Sequence, residues 1–117
     1  MKNIIFYKTE NGKSPVEEFL DTLTSKQAQK VTWVLRVIRD LNQIPQEYFK
    51  KLVNTEIWEV RVKSGNNIFR ILGFKDGLNF VVLTNGFQKK AQKTPKSEIE
   101  LAERRMREYK KMGEKNG

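Results

Sequence analysis

The feature that most constrains the fold is a run of three predicted β-strands in the second half of the chain. Residues 57–63 read IWEVRVK, where apolar and charged side chains alternate as they do in a strand with one buried face. A turn at 64–67 leads into the apolar run IFRILGF at 68–74, which an Asp-Gly turn signal follows. The most apolar run then occupies 78–87. This pattern predicts an antiparallel meander.

Helices are predicted before and after this meander. Residues 14–42 have the pattern of a helical hairpin, in which SPVE at 14–17 is typical of a helix start. Thr24, with Gln27 three residues later, begins a second amphipathic helix. A Thr-Pro pair at 94–95 is expected to cap and begin the last helix.

The full order of predicted elements is β-α-α-(β)-β-β-β-α, in a single domain over residues 1–117. The first strand is expected at 3–9, an additional short strand at 49–53, and a flexible tail at about 113–117. We expect an α+β fold with a small, twisted, antiparallel-rich sheet, an N-terminal helical hairpin and a C-terminal helix. In the most economical packing the helices cover one face, and the other face stays polar and exposed.

Composition excludes several kinds of site. The 117 residues include no cysteine and no histidine, which removes disulfides, thiolate metal sites and the commonest base at neutral pH. No apolar run is long enough to span a membrane, and the first apolar stretch is too short for a signal peptide. We therefore expect a cytoplasmic protein with no bound metal, no cofactor and no membrane contact.

Positive charge is concentrated in the second half of the chain. The formal net charge is +9, but residues 1–49 carry seven Lys/Arg against six Asp/Glu, whereas residues 86–117 carry ten against five. Such asymmetry predicts an anionic partner, with nucleic acid as the first candidate. The alternative is a domain whose basic surface serves only solubility.

Two arginines fall inside the predicted strands. Arg61 lies on the charged side of its strand, and Arg70 interrupts an otherwise apolar run. If the hairpin brings the two side by side, like charges destabilise the sheet unless an anion lies between them. The alternative is that Arg70 pairs with Glu59 across the hairpin, because a buried arginine needs a partner. Spacing alone leaves both possibilities open.

Lysines gather where the last strand ends. Residues 86–95 read GFQKKAQKTP, so Lys89, Lys90 and Lys93 could rim a cleft whose floor holds the two strand arginines. Gly86 permits a turn or a close backbone approach. Taken alone, the lysines favour a solvated charge run, but together with the arginines they favour a phosphate-binding surface.

The segments WEVRV, NIFRIL and NGFQKKAQKTP, in this order and spacing, resemble the RelE/ParE superfamily of type II toxins. The resemblance is strongest to the phage-derived HigB-like branch, and it covers nearly the whole chain. It implies a RelE-like fold and a ribosome-dependent endoribonuclease, or mRNA interferase, that acts in the ribosomal A site and inhibits translation. It also implies a neutralising HigA-like antitoxin with a helix-turn-helix domain, and a toxin–antitoxin complex that binds operator DNA.

The resemblance also implies roles for individual residues. Arg70 is similar to the family's strand arginine, which contacts the scissile phosphate, and Arg61 is similar to a second basic residue beside it. The lysines after the last strand match the family's basic segment. The predicted catalytic residues are Arg70, Arg61, Lys90, Lys93 and Glu59, and the predicted RNA or ribosome contacts are Lys63, Lys89 and Lys96.

Proton transfer departs from the family pattern. Many relatives have a histidine or tyrosine near the end of the last strand, but this chain has no histidine, and Phe87 cannot transfer a proton. Glu59 is the candidate base, with a lysine of lowered pKa as its rival. A protonated lysine would serve as the acid, and Tyr109 is a more distant candidate.

Two other functions share these features. ParE-like members of the superfamily inhibit DNA gyrase without cleaving RNA, and a non-catalytic RNA-binding module would bind RNA with steep salt dependence. The strand arginines together with the lysines after the last strand favour the RNase. The larger aromatic residues are predicted to be core or helix–sheet contacts rather than base-stacking platforms: Trp33, Trp58, Phe69, Phe74 and Phe80.

Overall fold

The computed structural model describes residues 2–90 and 92–116, which fold into a sheet with helices on both faces. In chain order the elements are β1 (Asn3–Phe6), α1 (Pro15–Asp21), α2 (Ser25–Asp40), β2 (Phe49–Lys51), β3 (Ile57–Ser64), β4 (Asn67–Asp76), β5 (Phe80–Gln88) and α3 (Lys96–Asn116). The predicted element order and the α+β class are confirmed.

The sheet has five strands in the order β1-β5-β4-β3-β2. The last four strands of the chain pair antiparallel, with Val60 opposite Ile71 at the centre of the β3–β4 hairpin, so the predicted meander is confirmed. β1 pairs parallel with β5, where Ile4 lies opposite Val81. The helical hairpin crosses from β1 at one edge of the sheet to β2 at the other edge, and the meander then returns to β5.

Side-chain caps fix the first residue of each helix in the hairpin. The Ser14 hydroxyl accepts a hydrogen bond from the Glu17 amide at 3.3 Å, and proline occupies the start of α1. At α2 the Thr24 hydroxyl accepts from the Gln27 amide, and the Gln27 side chain accepts from the Thr24 amide. This capping box begins α2 where the sequence predicts it.

Two apolar cores lie on opposite faces of the sheet. The first joins α1 and α2 to one face, and its buried members include Val16, Val31, Ile38, Val60 and Leu83. The second joins α3 to the other face, and its buried members include Leu72, Phe74, Val82, Ala102 and Met106. The expectation that all helices cover one face is therefore wrong. The second face is polar only toward one end, and its apolar part must be covered.

The aromatic predictions are partly confirmed. Phe69 and Phe74 are fully buried, and half-buried Trp58 stacks on Phe49 with ring centroids 4.7 Å apart. Trp33 is 46% exposed and Phe80 is 40% exposed, so neither is the core residue that was predicted. Trp33 lies on the solvent side of α2, away from the apolar stripe that reaches the sheet.

Element boundaries differ from the prediction at the ends. β1 stops at Phe6 rather than at residue 9, and β2 covers only the first part of the predicted 49–53 strand. α3 continues through Asn116, while the last residue of the predicted flexible tail, Gly117, lies outside the described residues. Within the described part of the chain, no helix combines the length and apolarity needed to cross a membrane.

Two glycines are required by close approaches. At Gly73, where the β4–β5 register shifts, an added Cβ would collide with the carbonyl oxygen of Val82. At Gly86 it would lie 2.5 Å from Phe19 Cδ2, which is a close approach of the kind that the sequence predicts. A side chain at either position must displace its neighbour.

Gly73→Ala is expected to lower the free energy of unfolding by about 1–3 kcal/mol, because the added methyl group meets backbone that cannot move aside. Urea denaturation followed by circular dichroism measures this change. Gly113→Ala in α3 is the matched control, since nothing lies within 4 Å of its added Cβ. Helix propensity predicts that this control gains about 0.5–1 kcal/mol. Unchanged stability in Gly73→Ala would contradict the close approach.

Candidate active-site groove

Strand register places the two arginines directly opposite each other. Arg61 of β3 pairs with Arg70 of β4, as one of the alternatives from the sequence predicts. Arg61 is exposed, whereas Arg70 is only 8% exposed. Both project from the face that α3 covers farther along, since Ile57 and Leu72 of the second core lie an even number of residues away on the same strands.

A buried carboxylate and a hydroxyl hold Arg70. Its Nη1 donates to Glu59 Oε2 at 3.0 Å and to Thr94 Oγ1 at 2.7 Å, and the Thr94 hydroxyl donates in turn to Glu59 Oε2. The side chains of the ion pair are only 9% and 8% exposed. The second alternative from the sequence is therefore also correct: Arg70 pairs with Glu59 while it lies opposite Arg61.

The hydrogen bonds of this cluster leave one buried donor without a partner. Nη1 donates both hydrogen bonds that the Arg70 side chain makes to described residues. The Arg70 Nε is buried and has no hydrogen-bond partner among the described residues. An unpaired buried donor is costly and rare in native structures. On the carboxylate both bonds fall on Oε2, so Glu59 Oε1 accepts none of the hydrogen bonds found among the described residues.

This cluster forms the floor of a groove of about 760 Å³, called here the Arg70 groove. Its walls come from the segment before β2, from the sheet, and from the segment that leads into α3. The charged and hydroxyl-bearing residues that line it are Glu47, Lys50, Glu59, Arg61, Arg70, Lys93 and Thr94, and the Glu47 side chain is exposed. The groove therefore combines four cationic side chains with one buried carboxylate.

Lys89 and Lys90 lie beside this groove rather than in it. They line an adjacent depression of about 400 Å³ together with Gln92, which also borders the Arg70 groove. The pKa of Lys89 is lowered, first because partial burial disfavours the charged ammonium and then because Arg70 and Arg61 lie nearby; the Glu59 carboxylate opposes the shift. Lys89 is thus electrostatically coupled to the groove.

The remaining predicted residues are more distant from the groove. Lys63 is exposed near the end of β3, in line with Arg61 but outside the groove lining. Lys96 begins α3 and forms an exposed ion pair with Glu100 at 3.8 Å. Tyr109 packs edge-on against Phe74 in the second core and does not line the groove. The assignment of these residues to catalysis or RNA binding stays a prediction.

Two groove residues were missed by sequence reasoning. Thr94 was expected to cap α3, but the helix begins at Lys96, where the Pro95 carbonyl accepts from the Glu98 amide at 3.1 Å. The Thr94 hydroxyl is used by the ion pair instead. Lys50 lies opposite Glu59 in the β2–β3 pairing, which no local pattern in the sequence indicates.

The structure also bears on metal binding. Within residues 2–90 and 92–116, no three carboxylate, imidazole or thiolate groups are placed to hold a metal ion. The chemistry that the Arg70 groove offers is therefore that of guanidinium and ammonium groups beside the buried Glu59 carboxylate and the exposed Glu47 carboxylate.

Comparison with known families agrees with this architecture. Residues 18–107, which include most of the sheet and the whole Arg70 groove, match the family described as phage derived protein Gp49-like. The chain belongs to the Gp49-like family. The resemblance to the phage-derived HigB-like branch, seen first in the strand arginines and the lysine segment, is confirmed.

Individual relatives match a smaller part of the chain. A protein from Mycobacterium tuberculosis strain CDC 1551 / Oshkosh, named probable endoribonuclease HigB1, is 43% identical over 61 residues. The match covers 52% of this chain and 48% of that protein. The HigB1 of strain ATCC 25618 / H37Rv matches to the same extent. The chain therefore spans about half the length of the curated relatives it matches.

Thr94→Val is expected to lower the free energy of unfolding by about 1–3 kcal/mol, because the buried ion pair loses a hydroxyl that both accepts and donates. Thr94→Ser keeps the hydroxyl and is expected to retain most of that stability. Urea denaturation of both variants measures the difference. Equal destabilisation by valine and serine would mean that the methyl group matters rather than the hydrogen bonds.

Lys89→Gln is expected to raise the urea midpoint at pH 7, since it removes a charge that the folded state disfavours. Because the folded state lowers the pKa of Lys89, the charged ammonium destabilises the fold to its full extent at pH below the folded-state pKa. This destabilisation fades as the pH rises from the folded-state pKa toward the ordinary value of 10.5. The gain should therefore shrink between neutral pH and that value.

Lys90→Gln is the control for this pH series, because Lys90 is exposed and its replacement changes the net charge equally. If the two variants gain equally at every pH, Lys89 is not coupled to the arginines of the Arg70 groove.

Proposed function

We propose that this protein is the toxin of a type II toxin–antitoxin system and acts as a ribosome-dependent endoribonuclease on mRNA. Membership of the Gp49-like family and the likeness to two proteins named probable endoribonuclease support RNA cleavage. The Arg70 groove supports it independently, since four cationic side chains line it beside the buried Glu59 carboxylate.

The observation that carries the proposal is the direct pairing of Arg61 with Arg70 on the groove floor. Two guanidinium groups at opposed positions repel each other in the absence of an anion. Glu59 compensates Arg70 but lies within the same buried cluster, and Arg61 remains exposed. A phosphodiester between Arg61, Lys93 and Arg70 would satisfy the remaining positive charge.

The proposed proton transfer uses Glu59 Oε1, the carboxylate oxygen that accepts no hydrogen bond among the described residues. In the proposed reaction Glu59 Oε1 takes the proton from the ribose 2′-hydroxyl, and the 2′-oxygen forms a bond to the adjacent phosphorus. The arginines stabilise the negative charge of the phosphorane. The bond from phosphorus to the 5′-oxygen then breaks, and an ammonium group, with Lys93 the first choice, protonates that oxygen. The products are a 2′,3′-cyclic phosphate and a 5′-hydroxyl, and no metal ion takes part.

Ribosome dependence fits the chemistry of the groove. The chain has no histidine, so its acid–base groups at neutral pH are weak. Positioning of a substrate can supply much of a rate enhancement when the reacting atoms are held in line. We propose that the ribosomal A site holds the mRNA in this way, which makes the cytoplasm the place of action.

The proposed system includes a second protein. We expect a HigA-like antitoxin with a helix-turn-helix domain to neutralise the toxin, and the complex to bind its operator DNA. The net charge of +9 favours association with an acidic segment of such a partner.

Arg61→Gln tests the proposal with little risk to the fold, because Arg61 is exposed. Arg70→Ala is less suitable, since it leaves the Glu59 charge buried and unpaired at a cost of about 3–5 kcal/mol. In a purified translation system, primer extension should show mRNA cleavage at A-site codons by the parent protein. The Arg61→Gln variant should cleave about a hundredfold more slowly.

Arg107→Gln is the matched control, since it removes the same charge from an exposed position on α3 outside the Arg70 groove. Its cleavage rate should equal that of the parent. Growth arrest without any cleavage by the parent would favour a ParE-like action on gyrase. RNA binding with steep salt dependence and no cleavage would favour a binding module instead.

A further inference from the structure

The solvent side of α2 carries a second basic surface, separate from the Arg70 groove. It consists of Lys26, Lys30, Trp33 and Arg36, and is called here the α2 surface. Residues spaced by four, three and three positions follow one side of a helix, so these side chains form a single stripe. Trp33 and Arg36 face away from the side of α2 that packs on the sheet through residues such as Val31. Lys30 is half-buried at the margin between the two sides.

The cations of this surface form no short ion pair with the described residues. Among the described residues, no carboxylate forms an ion pair within 4.0 Å of Lys26, Lys30 or Arg36. The one acid of α2, Asp40, accepts from Arg39 at 2.7 Å and 3.2 Å. Residues 1–49 as a whole thus have a nearly even charge count, whereas α2 within them is basic.

Most of the acidic residues that balance the charge of residues 1–49 lie outside α2. Glu17 and Glu18 lie in the first turn of α1, and Asp21 ends that helix. All three side chains are exposed. The helical hairpin therefore separates charge, with acidic side chains on α1 and basic side chains on the outer side of α2.

An exposed indole lies within the basic stripe. Trp33 is 46% exposed, and the Tyr48 ring meets it edge-on with centroids 5.7 Å apart. Lys30 Nζ lies 4.5 Å from the centroid of the indole ring. An indole that neighbouring rings and cations hold in place offers a stacking surface at a small cost in side-chain entropy.

The α2 surface adjoins the Arg70 groove through one short segment. Tyr48, which packs on Trp33, follows Gln46 and Glu47 directly in the chain, and both of these line the groove. Lys50, two residues further on, lines it as well. Residues 46–50 therefore contact both the Arg70 groove and the α2 surface.

We infer that the α2 surface binds single-stranded nucleic acid, with phosphates on Lys26, Lys30 and Arg36 and one base stacked on Trp33. That the strand is RNA rests on the proposed function. Cations beside an exposed aromatic ring are what sequence-tolerant single-strand binding requires. A protein partner would need a larger apolar centre, and Trp33 is the only member of this stripe that is a large exposed hydrophobic residue.

The dimensions agree with this ligand. Lys26 and Arg36 are ten residues apart, which at 1.5 Å per residue is about 15 Å along the helix. A stacked strand rises about 3.4 Å per nucleotide, so the α2 surface accommodates about four nucleotides.

The inference is tested by the combined substitution K26Q/K30Q/R36Q, with binding measured by fluorescence anisotropy of a labelled 2′-O-methyl 12-mer oligouridylate. This probe lacks the 2′-hydroxyl and cannot be cleaved by the proposed reaction. The affinity should fall about tenfold, and the slope of log affinity against log salt should become shallower by about 2, since each phosphate contact on a single strand contributes about 0.7.

The matched control is K8Q/K13Q/R107Q, which removes the same charge from three exposed positions outside both surfaces. Equal affinity and equal salt slope in the two triple variants would overturn the inference, because net charge alone would then explain binding. Trp33→Ala, verified as folded by its thermal transition, should weaken binding about tenfold through lost stacking.

A 12-residue polyglutamate serves as the competitor that separates nucleic acid from an acidic protein. If it displaces the oligonucleotide at equal charge concentration, and Trp33→Ala has no effect on binding, the α2 surface recognises an acidic chain and the inference fails. The experiment contains no ribosomes. A protein that does not cleave mRNA but binds as predicted therefore overturns the proposed function and leaves this inference intact.

Discussion

The buried ion pair between Glu59 and Arg70 is the interaction on which the rest of the structure depends. An arginine in the centre of a five-stranded sheet is tolerated only because a carboxylate from the next strand and the Thr94 hydroxyl satisfy one end of it. Removing one partner of such a pair costs about 3–5 kcal/mol. The same three side chains tie the segment before α3 to the sheet, and so set the position of Lys93 beside the arginines.

This arrangement has a consequence for function. The pair secures Arg70 through a single guanidinium nitrogen, and its Nε remains buried without a partner among the described residues. Opposite it, exposed Arg61 has no strand neighbour of opposite sign in the β3–β4 register. The ion pair that stabilises the fold and the positive charge that lacks a partner therefore lie in the same groove. This is a common feature of sites built to stabilise charge that appears only during a reaction.

The sequence was informative wherever the cause of a feature is local. Strand alternation predicts the meander and allows the Arg61–Arg70 pairing as one possibility, and capping residues predict where α1 and α2 begin. The packing of α3 on the second face, the role of Thr94 and the position of Lys50 depend on contacts between distant segments. In Thr94 a local preference for capping gave way to a buried charge, because an unsatisfied ion pair costs more than an uncapped helix. The sequence favours core or helix–sheet packing for Trp33, and only the orientation of α2 in the fold shows that its indole is exposed.

The most direct test follows the guanidinium signals of Arg70 by NMR in protein labelled with ¹⁵N-arginine, with assignment from Arg70→Lys. Titration with a 2′-O-methyl trinucleotide should shift the Arg70 Nε–H and Arg61 signals together, because both arginines line the Arg70 groove, where the proposed function places one phosphate. If both signals stay unchanged while other signals show that binding is saturated, the groove does not receive the phosphodiester. The assignment of RNA cleavage to it would then be wrong.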